Sequence, residues 1–252
     1  MKRLLAFAGA LSVVLALMPS VHAQGGPPSI RVRELDGVRL ASGGRLWVHV
    51  YHAKGGVPGP PGGGGGGGGS CTDTNTQTAY STFAPAKATS MAFKLTAGSV
   101  PSYLGTSSVA STVSSGFGAW NAVHSYYSFS NSGGASQPAD DATNSVGFAQ
   151  FVGSGAGSAL AATWSWTDNT GRIKGADIFF NTKFTFGIFS TCNAQSTYEI
   201  GDLITHEIGH TAGLGHVSDS SAMATMYPSA PTGETRKRTL TAGDKNGFEA
   251  QV

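Results

Sequence analysis

Three histidines and one glutamate near the C-terminal end of the chain have the types and spacing of a metal site. They lie in the run HEIGHTAGLGH, residues 206–216. On a helix, residues four apart are rotated by about 40° and displaced by about 6 Å, so His206 and His210 can point at the same ion. Glu207 then lies beside this pair, where a carboxylate can act as a base.

The third histidine, His216, comes six residues after His210 and cannot reach the ion from the same straight helix. Gly213 permits a turn, because glycine enters a left-handed helix terminus without a side-chain penalty. Three protein ligands leave a fourth position for water, which is typical of a catalytic zinc rather than a structural one. Zinc lowers the pKa of its water to about 7, and Glu207 can take the proton. The alternative is a histidine-rich helix end without a metal.

The same residues carry a family resemblance. The motif HExxHxxGxxH, followed by Met226-Tyr227-Pro228, resembles the metzincin clan of zinc endopeptidases, and the Met-Tyr-Pro form resembles its matrixins. The resemblance implies an α+β fold. It consists of a twisted mixed sheet, two long helices, a cleft above the zinc helix, a Met-turn and a C-terminal helix. Met226 would pack beneath the imidazoles as a structural residue.

Weaker matches extend the resemblance over most of residues 71–252. Leu160, Ala161 and Ala162 fall where the family places the edge strand that pairs with substrate, and Tyr227 and Pro228 would lie in the wall of the specificity pocket. Residues 240–248 resemble the start of its last helix. Between residues 125 and 205 there is no histidine, which argues against a second zinc of the family's structural type.

Calcium is a family-level expectation as well. Asp168 and Asp177 could contribute to such a site, but no EF-hand pattern is present. Ordinary turn chemistry is therefore the favoured interpretation of both carboxylates.

The beginning of the chain predicts export. Residues 1–23 combine Lys2 and Arg3 with an apolar stretch and a small-residue cleavage site, which is typical of a secretory signal. The mature protein would begin near Gln24, in the extracellular space or in a periplasm. No later segment approaches the roughly 20 apolar residues of a spanning helix, so we expect no membrane association of the mature form.

Cys71 and Cys192 are the only cysteines. An oxidising compartment favours a disulfide between them. The alternative is that Cys71 latches the zinc, as cysteines in matrixin pro-segments do, although its neighbours lack the arginine and proline of that motif.

Composition divides the chain into segments. Residues 24–54 contain two strand-like stretches, 30–33 and 46–51, and could form a pro-segment over the cleft, a targeting element or a degenerate extension. Residues 55–70, with eight consecutive glycines, predict a flexible linker, and residues 71–252 form the catalytic domain. His49 and His52 favour an interpretation as two exposed imidazoles.

Hydrophobic periodicity places the remaining elements. Met91, Phe93 and Leu95 alternate as a first strand, and apolar residues recur every three to four positions over 109–120, which predicts a helix that ends near His124. Residues 146–152, 159–166 and 176–181 predict three further strands.

Charge and motif together define the expected function. The net charge is +2 with 12% charged residues, and no basic run suggests nucleic acid. The cluster Arg236-Lys237-Arg238 is interpreted as a solvated face. We expect a monomeric, secreted zinc endopeptidase that acts on proteins or peptides with Glu207 as general base. The alternatives are a zinc hydrolase of non-peptide bonds and a catalytically silent binding domain.

Overall fold

The structure is a computed structural model that describes residues 28–54, 77–84, 90–190, 196–218 and 224–252. In those ranges the α-helices are α1 (Thr106–Asn121), α2 (Ile200–Thr211) and α3 (Ala242–Gln251). None of the helices in the described ranges has the length and apolar character to cross a membrane. The strands are β1 (Ser29–Arg31), β2 (Leu35–Arg39), β3 (Arg45–Ala53), β4 (Ser81–Thr82), β5 (Met91–Leu95), β6 (Tyr127–Ser130), β7 (Asn144–Val152), β8 (Ala159–Thr167), β9 (Ile173–Asn181), β10 (Phe186–Gly187), β11 (Tyr198–Glu199), β12 (Leu214–Gly215) and β13 (Ser229–Ala230).

One mixed sheet organises the molecule. Within the described residues it has nine strands in the order β13-β3-β8-β9-β7-β5-β6, with β1 beside β7 and β2 beside β3. The β5–β6, β5–β7 and β7–β9 pairs are parallel, whereas β8 is antiparallel to β9. The mixed sheet and the helices confirm the predicted α+β class.

The strands and the first helix predicted from periodicity are present. β5 alternates buried and exposed residues as the pattern of Met91, Phe93 and Leu95 requires. β7, β8 and β9 contain the three further strands that were predicted, and β9 begins three residues before its prediction, at Ile173. The spacing of apolar residues was sufficient to locate these elements, because in each of them apolar residues recur at the period of a strand or a helix.

Helix α2 is fixed on the sheet by the two other helices. The indole Nε1 of Trp120 on α1 donates to the Thr205 carbonyl of α2 at 2.8 Å. A Cβ added at Gly116 of α1 would lie 3.0 Å from the Ile204 side chain, so α1 and α2 approach closely at this glycine. Phe248 of α3 packs on Trp120 with ring centroids 5.1 Å apart. The predicted C-terminal helix therefore supports the helix that carries the metal motif.

The N-terminal segment is part of the sheet. β3 lies between β8, to which it is antiparallel, and β13, to which it is parallel. Val48 and Val50 pack into a second apolar core with Trp164 and other residues of the sheet, while alternate β3 residues face α2. The prediction that β8 is an accessible edge strand is therefore wrong for the described chain, because β3 pairs along its whole length.

Candidate metal centre

Helix α2 and the turn after it bring the three histidines together. At the start of α2 the Glu199 side chain accepts a hydrogen bond from the Asp202 backbone N–H at 2.6 Å. At its end Gly213 has a φ of 94°, in the left-handed region that glycine tolerates best. The chain then turns back through β12, which pairs with β4, and reaches His216. The turn at Gly213 is thus formed as the sequence predicted.

The ligand atoms of the three imidazoles converge. The Nε2–Nε2 distance is 3.0 Å between His206 and His210, 3.1 Å between His210 and His216, and 3.2 Å between His206 and His216. His206 Nδ1 lies 2.6 Å from the Thr225 carbonyl, and His210 Nδ1 lies 2.7 Å from the Leu214 carbonyl. Because each Nδ1 donates to its carbonyl in the neutral ring, each Nε2 presents a lone pair to the others.

Converging lone pairs are stable when they share a cation. Tetrahedral zinc with Zn–N bonds of about 2.0–2.1 Å separates its nitrogens by about 3.3 Å, close to the observed spacing. Burial lowers the pKa of His206 and His210 well below the usual value and that of His216 to about 3. The rings are therefore held neutral, which is the form that binds a metal, and the donor set fits one zinc ion.

Glu207, next to His206 in sequence, is a buried carboxylate with one hydrogen-bonded oxygen and one without a partner among the described residues. Its Oε2 accepts a hydrogen bond from the Thr163 hydroxyl of β8 at 2.5 Å. Its Oε1 is buried and has no hydrogen-bond partner among the described residues. Burial raises the pKa of Glu207 to about 8. One oxygen is thus anchored, and the other can exchange a proton with a ligand in the site.

Met226 packs beneath α2 as a structural residue. It is 1% exposed, and its backbone N–H donates to Asp244 of α3 at 3.4 Å. The neighbouring Thr225 N–H donates to the same carboxylate at 3.1 Å. Gly209, between the two helical histidines, leaves the space that the Met226 sulfur fills, since an added Cβ would overlap it. Asp244 thereby fixes the turn whose Thr225 carbonyl orients His206.

Gly209→Ala is expected to destabilise the fold by about 1–3 kcal/mol, because the methyl group must displace Met226 or α2 in a packed core. Unfolding in denaturant measures the change. Gly118→Ala is the matched control, since this helical glycine has nothing within 4 Å of an added Cβ. It should stabilise α1 by about 0.5–1 kcal/mol. Equal stability of the two variants would contradict the close approach at Met226.

The predicted substrate-contacting residues lie on either side of β3. Leu160, Ala161 and Ala162 lie on β8 and are fully buried. Tyr227 and Pro228 lie opposite and are half-buried, and the Pro228 carbonyl accepts from the His52 N–H at 3.0 Å. β3 lies between these two sets of residues, and the space that it occupies between β8 and β13 is called the groove below.

Two side chains of β3 cover the imidazoles, and neither was predicted from the sequence to lie at the site. The His49 ring stacks on His210 at 4.3 Å and 15°, and the Tyr51 ring stacks on His206 at 4.0 Å and 8°. The interpretation of His49 as an exposed imidazole is wrong, because it is 9% exposed. The available signal was that apolar and aromatic residues occupy both faces of residues 46–51, which is typical of a strand buried on both sides.

Lys237 is a second correction, because the cluster Arg236-Lys237-Arg238 is not a solvated face. Lys237 is 1% exposed, and its ammonium donates to the Tyr51 hydroxyl at 2.6 Å and to the Ser229 carbonyl at 2.5 Å. Burial lowers the pKa of Lys237 to about 8, and the charge of Asp202 opposes this shift. A buried ammonium needs such partners, and their arrival from distant segments has no local sequence signal.

The remaining predicted site residues lie elsewhere. Asp168 caps its own turn by accepting from Thr170 and Arg172 N–H groups. Asp177 is buried and accepts from the N–H groups of Ala139 and Ser145. These bonds agree with ordinary turn and loop chemistry. Cys71 and Cys192 lie outside the described residues, as do residues 1–23 and 55–70.

The chain was compared with known protein families and with curated proteins. A protein-family model described as Matrixin matches residues 86–251. No curated protein matches the chain. The matched span includes the histidine triad, Glu207 and Met226, whereas β1, β2 and β3 precede it.

Proposed function

The chain belongs to the matrixin family of zinc metalloendopeptidases, and on that premise we propose that it is a secreted endopeptidase in which Glu207 is the general base. His206, His210 and His216 would hold the zinc ion. When bound, the ion supplies Lewis acidity that polarises a peptide carbonyl and acidifies a water molecule. The two alternatives are a zinc hydrolase that acts on a non-peptide bond and a catalytically silent binding domain.

The residues of the chain can carry the proton transfers. Oε1 of Glu207 would accept a proton from the attacking water as the water oxygen forms a bond to the carbonyl carbon. The same oxygen would then deliver the proton to the amide nitrogen as the C–N bond breaks. The Thr163 hydroxyl holds Oε2 during both steps and fixes the direction of Oε1.

The observation that carries the proposal is the convergence of three imidazole nitrogens, two of them on rings anchored by backbone carbonyls, together with the buried Glu207 oxygen that has no partner among the described residues. A silent binding domain would have no need of all four groups. The main-chain pairing of β8 and β13 with an extended strand supports a peptide substrate. A non-peptide substrate would have no use for two such walls.

Residues 24–54 are proposed to be a pro-segment. β3 fills the groove, and His206, Glu207 and His210 are fully buried beneath it. A peptide substrate therefore requires β3 to leave. The proposed export signal, residues 1–23, would direct the protein out of the cytoplasm, and N-terminal sequencing of the secreted form would show whether residues 24–54 have been removed.

A chelator is expected to abolish caseinolysis, and added zinc to restore it, because the triad has no other way to activate water. The assay uses full-length protein in which a recognition sequence for a site-specific protease replaces part of the glycine run 62–69, cut before the measurement. Metal content per chain is measured in parallel. Undiminished cleavage by the metal-free protein would contradict the proposal.

A further inference from the structure

β3 lies in the groove as a peptide substrate would. It is antiparallel to β8, where Tyr51 pairs with Ala161, and parallel to β13, where His52 pairs with Ser229. The N–H groups of His52 and Lys54 donate to the Pro228 and Ala230 carbonyls at 3.0 and 2.9 Å. These are main-chain contacts, so any extended peptide of the same direction can make them.

The side chain of Tyr51 fills a pocket beside the metal centre. Its ring lies parallel to that of His206, and the residue is fully buried. At the end of the ring, the hydroxyl accepts from Lys237 Nζ at 2.6 Å and donates to Asp202 Oδ2 at 3.2 Å. The pocket therefore ends in a cation and a carboxylate at the depth of a phenol oxygen.

Other contacts hold these two groups in place whether or not Tyr51 is present. Lys237 Nζ also donates to the Ser229 carbonyl and lies 5.3 Å from the Tyr227 ring centroid. Asp202 Oδ1 accepts from the Lys237 backbone N–H at 3.0 Å. Because both groups are almost completely buried, a ligand that cannot bond to them leaves them with unmet hydrogen-bonding capacity.

We propose that Lys237 and Asp202, at the end of the pocket filled by Tyr51, select peptides with tyrosine directly after the cleaved bond. The inference rests on the proposed endopeptidase function. A phenol can accept from the ammonium and donate to the carboxylate at once. Phenylalanine and leucine can do neither. An acidic side chain would be repelled by the Asp202 carboxylate, and a basic one by the Lys237 ammonium.

The ring contacts of His49 and Tyr51 bracket the position of the cleaved bond. Tyr51 stacks on one metal-binding imidazole, and His49, two residues earlier on the same face of β3, stacks on another. The His49–Val50 and Val50–Tyr51 peptide bonds both lie between the two contacts, and the proposal places cleavage at Val50–Tyr51, directly before the residue in the pocket. In a substrate of the same register, the residue in the pocket would supply the new amino terminus.

The test compares three fluorogenic peptides that copy residues 47–53 with tyrosine, phenylalanine or leucine at the position of Tyr51. The enzyme is the full chain cut at the engineered site in the glycine run and loaded with zinc. Hydrogen bonds to charged partners predict a kcat/KM about 10- to 100-fold higher for the tyrosine peptide, with cleavage before the tyrosine.

Lys237→Met should remove most of this preference while cleavage of the leucine peptide continues. Lys245→Met, at an exposed position on α3, is the matched control and should keep the preference. If Lys237→Met fails to fold, the comparison of the three peptides on the wild-type protein still tests the proposal. Equal kcat/KM for the three peptides would overturn the pocket assignment but not the protease. No cleavage of any peptide or of casein would overturn both.

The intact chain offers an independent readout. Tyr51→Phe should raise the peptidase activity of the uncut protein by about tenfold, since β3 loses its bonds to Lys237 and Asp202 and occupies the groove less tightly. Tyr80→Phe, at a residue 47% exposed, should leave the uncut activity unchanged. Equal activity of the uncut Tyr51→Phe and wild-type proteins would overturn the assignment of these contacts.

Discussion

Replacing Glu207 with glutamine is expected to lower kcat/KM for casein-derived peptides by about 10²- to 10⁴-fold, the range contributed by a positioned general base. An amide keeps the size of the side chain and its contact with Thr163. It has no oxygen that can take up and release a proton at neutral pH. Activity and zinc content are measured on the same preparation, after the chain has been cut in the glycine run.

The zinc content separates this outcome from general damage to the site. Glu207 is not among the three converging ligands, so the variant should hold one zinc per chain. Glu249→Gln, at an exposed position on α3, is the matched control and should retain full activity. If Glu207→Gln cleaved peptides at the wild-type rate, the general-base assignment would be wrong.

Removing one imidazole should have a different signature, namely loss of the metal itself. His210→Ala is expected to weaken zinc binding by more than about 100-fold, since changes merely to groups that orient a ligand cost about 10- to 100-fold. His210 is anchored at Nδ1 by the Leu214 carbonyl, which directs its Nε2 at the other two imidazoles. Proteolysis should be lost together with the metal.

Thermal melts with and without zinc measure this effect. At a free zinc concentration of 100 times Kd, binding stabilises the wild-type protein by about 2.7 kcal/mol. The His210→Ala protein should show little of that stabilisation at the same concentration. His124→Ala, at an exposed histidine beyond the end of α1, is the control and should keep the full shift. Unchanged zinc stabilisation of His210→Ala would remove His210 from the metal site.

Asp244 shows how far the turn around Met226 depends on the last helix. Its carboxylate accepts from the Thr225, Met226 and Thr241 N–H groups, and its own N–H donates to the Thr241 hydroxyl. A residue that caps α3 thus also positions the carbonyl that orients His206. A weak family resemblance predicted the helix from the sequence, whereas the contacts of the Asp244 carboxylate with Thr225 and Met226 depend on the fold.

The sequence alone determined the local part of the candidate site. Helical spacing predicts the facing of His206 and His210, and Gly213 predicts the turn that returns His216. Each of these features depends on contacts within a few residues. The same reason explains why β5, β7, β8, β9 and α1 could be located, since a periodic apolar pattern is a local property of the chain.

Only the tertiary structure decided what covers the site. The pairing of β3 with β8 joins segments more than 100 residues apart, as the contact of Arg45 with Thr167 across 122 residues shows. Tyr51 and Lys237 meet across 186 residues. Strand register and the burial of a charge depend on partners supplied from such distances. Residues 46–53 and 236–238 carry no local pattern that identifies those partners, so the contact between Tyr51 and Lys237 depends on the fold.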